Sequence, residues 1–549
     1  MSARDQAPAT RDEAGAVRAY HALSSHEPYR YAPGPGGLDW HNQPDPFRRY
    51  AGAEAVALDH LSEDEGAAYE DALYPGALPP AALERASLSA LLEYALGLAA
   101  WKQLGGARWA LRIDPSSGNL HPTEASVVSG PVAGVCATPF VAHYAPREHA
   151  LELRARLPDD LWAELAAGLP AGALLLGLSS IPWRESWKYG ERAYRYCQLD
   201  LGHALACVAL SAGALGWSVR ACDGWGAQDL ELMLGLSGCD PQELEMPELL
   251  LALAPQAGAA PVPPDAARLR ALSWCGRPNR LSAAHVPWPA LERVATVCRP
   301  RRGRPAPEPA RRPPPAGLEP RPCGRTFRQV ARARRSAVEM DGRTALAPDA
   351  FQRMLARTLP AAGARAFAAL SGEPCVDLCL YVHRVADLDP GLYALVREPR
   401  RRGALAAAMS ATHSWRPAPG APAELGLTLL RRGDERAAAA AVACGQDIAA
   451  DGAFALAMLV DLERALEEGG AAAYPRLYRE CGAIGQVLYL EAVAAGVSAT
   501  GIGCFFDHAA RASFGLAGGR FQSLYHFTVG GALADERLQS LPPYLPPPE

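Results

Sequence analysis

The chain has 549 residues, 49% of them apolar, and a formal net charge of −5. That length exceeds what one compact core holds, so two domains with tails are expected. The near-neutral charge gives no global attraction to nucleic acid or to an anionic membrane surface, and neither is expected as a partner.

The first residues, Met1-Ser2-Ala3-Arg4-Asp5-Gln6, are polar and lack the apolar centre of a secretory signal. No apolar run reads as long and charge-free enough to span a bilayer, so a cytoplasmic location is expected. The thirteen cysteines are scattered. Cys375 and Cys379 have no second pair to complete a zinc site, so no metal is expected. They read as small core residues in a reducing compartment.

In chain order, residues 1–15 are small and charged and are expected to be disordered. A first domain covers 16–298. Its opening stretch carries Tyr20-His21, Asp39-Trp40 and Pro44-Asp45-Pro46-Phe47 and reads as an irregular wrap rather than a loose tail. A helix is expected from Leu88 with Ser87 as its N-cap. Residues 108–113 read as a strand, 115–119 as a turn, and 126–128 as strand again. A long apolar helix is expected over 197–215. Residues 299–323 are rich in Pro and Arg; Pro removes amide donors and clustered Arg repels itself, which predicts an extended, solvated linker. A second domain covers 324–549. It opens at Phe327, has a strand near 375–385 and a second long helix over 482–495.

The two long helices share a pattern. Gly202 to Ala212-Gly213 has the spacing of Gly485 to Ala495-Gly496, and the pairs Gly235-Leu236 and Gly515-Leu516 follow. Such a match predicts two copies of one fold, with chance similarity in an Ala-rich chain as the competing account.

Several motifs are longer. One is Pro115-Ser116-Ser117-Gly118-Asn119-Leu120-His121-Pro122-Thr123-Glu124. Another runs from Trp187-Lys188-Tyr189-Gly190 to Tyr196 and on to Asp200 and Gly202-His203. The second half has Arg334-Arg335-Ser336, Gly485-Gln486 and Thr500-Gly501-Ile502-Gly503. Taken singly, each has a plain structural reading: turn chemistry, a solvated face, or a helix cap. In this order they resemble the nitroreductase superfamily, and within it the SagB/ThcOx-type dehydrogenases, over roughly 20–298 and 325–545.

The resemblance implies an α+β fold in which each half has a mixed central sheet flanked by helices. It implies an FMN site shared between two subunits, here an intramolecular pseudo-dimer. The phosphate and ribityl contacts fall on Arg334, Arg335 and Ser336, with close backbone approach at Gly501 and Gly503 and added charge from Arg537. The ring contacts fall on Ser116, Ser117 and Asn119 of the other half, with His121 lining the active face. Domain 2 has Ser371-Gly372-Glu373-Pro374-Cys375 where the turn should stand, and domain 1 lacks an Arg-Arg-Ser. One complete site is therefore expected, with the second decayed. Lys188-Tyr189 matches a catalytic pair of azoline dehydrogenases, with Arg184, Arg192 and Arg195 near enough in sequence to bias Lys188 toward a base or to form a positive entrance.

The expected activity is FMN-dependent oxidation of a peptide-derived or small-molecule substrate, with biosynthetic enzymes as partners. Two other readings fit the same residues: an NAD(P)H-dependent nitro or quinone reductase, and a flavin-free scaffold.

Overall fold

The structure is a computed structural model and describes residues 11–303 and 311–544. Helix α1 (Arg11–Leu23) starts inside the segment expected to be disordered; residues 1–10 lie outside the described residues. Asp12 and Glu13 in its first turn suit the positive end of the helix dipole. Its Tyr20 is buried edge-on to Tyr474 of the second half, and burial of that apolar face is what holds it.

Strand β1 (Glu54–Ala57) precedes helix α2 (Arg85–Leu96). Ser87 is not the N-cap. Glu84 is, and the Glu84 amide donates to Ser87 Oγ at 3.0 Å in a reciprocal capping box. A hairpin follows, β2 (Leu98–Leu104) and β3 (Ala107–Arg112), then β4 (Thr123–Ser129), β5 (Phe140–Ala145), β6 (Ala150–Arg156) and β7 (Leu174–Ser180). Helices α3 (Pro182–Tyr189) and α4 (Ala193–Ala214) lead to β8 (Ser218–Ala221) and β9 (Met246–Ala254).

The second half opens with α5 (Phe327–Ala333), capped by Thr326. It continues through β10 (Val376–Val382), β11 (Gly391–Leu395), β12 (Arg416–Pro417), β13 (Leu427–Arg432) and β14 (Phe454–Asp461). Helices α6 (Leu462–Gly469) and α7 (Ala473–Ala494) lead to β15 (Ser498–Ile502) and β16 (Phe521–Gly530). Helix α7 starts nine residues before the expected 482. Pro475 lies in its first turn, where a missing N–H loses no intrahelical bond.

Two seven-stranded sheets result, ordered β1-β6-β5-β4-β7-β9-β8 and β12-β13-β11-β10-β14-β16-β15. Six strands of each follow the same path, with a 22-residue helix inserted at the same point. The expected mixed character is slight: every named pairing in these sheets is antiparallel, and parallel pairing enters at isolated bridges such as Ser336 with Ala499.

Helices α4 and α7 cross at the centre. A Cβ built on Gly202 would lie 2.8 Å from the Arg479 carbonyl carbon and closer to its oxygen. One built on Gly482 would lie 2.9 Å from Gly202 Cα and closer to Leu199 O. The two glycines let backbone meet backbone. The helices begin at 193 and 473, an offset of 280, so Gly482 and not Gly485 is the counterpart of Gly202. Gly485 instead makes room for the His203 ring, whose Cε1 is 2.7 Å from its would-be Cβ.

The stretch Pro182–Ala214 is long and apolar enough to cross a membrane by composition, contrary to the sequence expectation, but 94% of its most apolar window is buried inside the protein. The 299–323 segment is fastened rather than solvated where it is described. Arg301 pairs with Glu13 at 2.6 Å, the Ala362 amide donates to Arg312 O, and Leu318 is buried. The C-terminal strand β17 (Gln539–Leu541) returns to the first half and pairs with β2, and the Leu98 amide donates to the Tyr544 hydroxyl.

Candidate active site

The turn between β3 and β4 is built on left-handed backbone: Gly118 at φ 63°, Asn119 at 61° and His121 at 53°. Glycine takes this conformation freely, whereas the other two cost about 1–2 kcal/mol each. Side-chain bonds hold them. Asn119 Nδ2 donates to Ala110 O at 2.8 Å, and its Oδ1 faces His121 Nε2 at 3.0 Å. The His121 amide donates to Ser116 Oγ at 2.8 Å. Ser117 donates to the Asp200 carboxylate through its amide at 3.1 Å and its hydroxyl at 2.9 Å. Ser116, Ser117 and Asn119 are thus engaged within the protein, and His121 keeps one buried nitrogen, Nδ1, without a partner. Burial, helped by Arg112 and Arg184, pushes the His121 imidazole well below its ordinary range, so it is neutral.

The same turn presses on the end of α3. A Cβ on Gly118 would meet Tyr189 Oη at 2.5 Å and Lys188 Nζ at 3.2 Å. The structure therefore brings the predicted pair Lys188-Tyr189 onto the predicted turn. The proposed arginine bias on Lys188 is not there. Arg184 is buried against Glu124 at 2.5 Å, and Arg192 and Arg195 are buried against Asp507 of the second half at 3.2 and 2.7 Å. None of the three forms an entrance.

What surrounds Lys188-Tyr189 is acidic; the sequence points to Asp200 only within a motif and to Glu185 not at all. Glu185 is buried one helical turn before Lys188, and Ser116 Oγ lies 3.4 Å from it. Burial, then the neighbouring Asp200 carboxylate, pushes Glu185 well above the usual carboxylate range. Burial raises Asp200 to about 7 and Asp114 to about 7. Burial, then Glu185, also raises the Tyr189 phenol well above 10, so it keeps its proton and acts as a donor. Clustered buried carboxyls that titrate near neutrality mark a site of proton chemistry more often than a structural ion pair does. A sequence signal existed: Asp200 is the only acidic residue of α4, and Glu185 stands at i−3 to Lys188.

The other half supplies cations. Arg334 reaches across to the first half, donating from Nη2 to Arg112 O at 2.8 Å and from Nε to Ile113 O at 3.0 Å. Those carbonyls lead directly into the Ser116 turn. Arg335 donates to Ala99 O at 3.2 Å and to the carbonyls of Arg332 and Arg334. Among the described residues neither Arg334 nor Arg335 has a carboxylate partner. Burial, then Arg334 and Arg332, lowers Arg335 to about 10. Ser336 Oγ bonds Tyr489 Oη at 2.7 Å, and the Gly501 amide donates to the same hydroxyl at 3.0 Å. Gly501 and Gly503 do permit close approach, but by tyrosines: their Cβ positions lie 2.6 Å from Tyr525 Cζ and 3.3 Å from Tyr196 Cζ. His203 links the halves through Gln486 and Tyr525, both at 3.2 Å. Arg537 is not part of the cluster. It is exposed and pairs with Asp535 two residues away.

Residues 392–531 match the family model described as the nitroreductase family. A protein of Anabaena variabilis ATCC 29413 described as a nitroreductase superposes with a TM-score of 0.67 at 21% identity, over 94% of this chain and 99% of that one. The fold is nitroreductase-like. Two further structures align with one part of the chain. One is described as a nitroreductase of Ralstonia eutropha JMP134 (TM-score 0.27, 17% identity, 42% of this chain and 99% of that one). The other is a chain of the E. coli microcin synthetase McbBCD complex with truncated pro-MccB17 bound (0.26, 17%, 45% and 93%). No curated protein matches the chain.

In this nitroreductase-like frame the donor set suits a phosphate-bearing group in charge: one buried and one half-buried guanidinium without a carboxylate partner among the described residues, beside a serine and a glycine amide. The space beside the glycines is another matter. Tyr489, Tyr525 and Tyr196 fill it, so a flavin ring seats there only with those side chains displaced.

Proposed function

We propose that the chain is an FMN-dependent oxidoreductase with its flavin between the halves, acting as a dehydrogenase on a peptide-derived or small-molecule substrate. The observation that carries this reading is the reach of Arg334 from the second half to the carbonyls of Arg112 and Ile113. It brings the Arg334-Arg335-Ser336 segment near the Ser116–His121 turn of the first half, which supports a site shared between the halves.

FMN when bound supplies two-electron hydride chemistry. Arg334, Arg335 and Ser336 would hold its phosphate end, the last after release from Tyr489. The residues around Lys188 handle the proton that leaves with the hydride. Asp200, near neutrality, takes it up when ionised, and Glu185 keeps its own proton beside it. Tyr189 donates a hydrogen bond that orients the substrate. The SagB/ThcOx-type chemistry, oxidation of an azoline ring with electrons passed to oxygen, is the specific version of this reading.

An absorbance spectrum of the purified full-length chain, with and without added FMN, tests it. Flavin bands at one equivalent per chain support the proposal. A colourless protein that stays colourless with FMN favours a second reading, a flavin-free scaffold, for which the filling of the glycine approach by three tyrosines speaks. Anaerobic mixing of the flavin-loaded chain with NADPH then sets direction, since rapid bleaching marks a reductase.

A further inference from the structure

The 280-residue offset that relates the halves generates a second interface position, the mirror of the site just described. The counterpart of Tyr489 is Ala209, and the counterpart of Ser498–Gly501 is Ser218–Ala221. Opposite Ala221 on the sheet stands Leu251, as Phe527 stands opposite Gly501; two residues before each lie Leu249 and Tyr525. Alanine and leucine thus replace two of the three tyrosines that fill the first position. The second position is accordingly open, as a cavity of about 570 Å³. That size is enough for a small organic ligand. Both halves line it: Ala209, Arg220 and Asp223 from the first, Arg311, Arg365 and Ser371 from the second.

One of its cations has no carboxylate partner among the described residues. Arg365 is buried, with 8% of its surface exposed. Its Nη1 donates to Trp217 O, and its Nε has no acceptor. Burial lowers its pKa, and no carboxylate among the described residues offsets that. The side chain reaches this place because Gly213 leaves room for it; a Cβ there would sit 2.6 Å from Arg365 Cδ. Asp223, the acidic residue among the described residues of the lining, accepts from Ser371 Oγ at 2.8 Å. A buried guanidinium without a counter-ion is costly, and an anion in the adjoining cavity relieves that cost. Apart from these groups the walls are mostly alanine, proline, valine and leucine.

We propose that this second inter-half cavity is a binding site for a small organic anion, whose carboxylate or phosphate meets Arg365 and whose apolar body lies along the Ala209 wall. The site stands independently of whether flavin occupies the first position.

Isothermal titration of the full-length chain with 2-naphthoate, 2-naphthyl phosphate and neutral 2-naphthol tests it. One anion should bind per chain, at least tenfold more tightly than naphthol, and the tighter of the two anions identifies the head group. Arg365→Gln should weaken the anion at least tenfold and leave naphthol unchanged. Ala362→Trp, at an exposed position on the rim, should block all three; it decides the matter if the Arg365 variant fails to fold. Equal binding of naphthol and the anions, unchanged anion binding in either folded variant, or no binding at all overturns the proposal. So does one-for-one displacement of the anion by FMN, which would make this cavity the flavin's own.

Discussion

The glycine crossing of α4 and α7 allows a quantitative prediction. In Gly202→Ala the new Cβ lies 2.8 Å from the Arg479 carbonyl carbon and closer still to its oxygen, so the helices must open by more than about 0.6 Å before both reach an ordinary contact of 3.4 Å. The obstacle is backbone, which cannot rotate away. Overpacking of a tight core costs about 1–3 kcal/mol, and this site belongs at the upper end. Replacing a helical glycine by alanine returns roughly 1 kcal/mol of helix propensity. A net loss of about 2 kcal/mol is expected, from a substitution that would stabilise an ordinary helix. Gly403 is the control. It lies exposed in the short helix Arg402–Ala408, and a Cβ there meets nothing within 4 Å. Gly403→Ala should be neutral or stabilising by up to about 1 kcal/mol. Urea unfolding of the two variants against the parent measures both. A Gly202→Ala protein as stable as the parent would show that the halves do not meet backbone to backbone at this point, and the pseudo-dimer as described would fall with it.

Asp507→Ala leaves Arg192 and Arg195 buried without their shared carboxylate and should cost about 3–5 kcal/mol in the same assay. The two arginines hold Asp507 below the usual carboxylate range despite its burial, so its contribution is present above about pH 4 and lost as the pH falls further. Asp200 has the opposite sign. Burial raises it from 3.8 to about 7, so between those values the folded chain keeps a proton that the unfolded chain releases, and stability falls as pH rises through that window. Asp200→Asn should remove part of that fall; stability-versus-pH curves of variant and parent that stay parallel from pH 4 to 7 would contradict the burial argument. On the proposed function, Asp200→Asn, which removes the proton acceptor, should lower turnover by about 10²–10⁴-fold, and Tyr189→Phe by a smaller factor, while flavin content is kept, as read by activity and absorbance on the same sample. Loss of flavin with unchanged turnover per flavin would assign the two residues to cofactor binding instead.

Much of the architecture was legible as one-dimensional pattern. The turn at 115–119 reads from Pro, Ser, Gly and Asn, and the long helices from sustained apolar periodicity, because those preferences are local. The residues Lys188-Tyr189 and the Ser116 turn were each singled out, and the fold brings them into contact. Glu185 escaped notice, and Asp200 stood out only as a motif residue without a role, because their importance comes from burial together, which no local pattern displays.

The sequence by itself marked the long helices, the Ser116 turn and which residues carry turn and cation chemistry, since these depend on neighbours a few residues away. Only the tertiary structure decided that the repeat offset is 280, that Arg184, Arg192 and Arg195 are spent in buried ion pairs, and that tyrosines fill one inter-half position while the other stays open. Those outcomes depend on which side chains are desolvated together across hundreds of residues. Volume and counter-charge at such a junction are properties of the packed molecule.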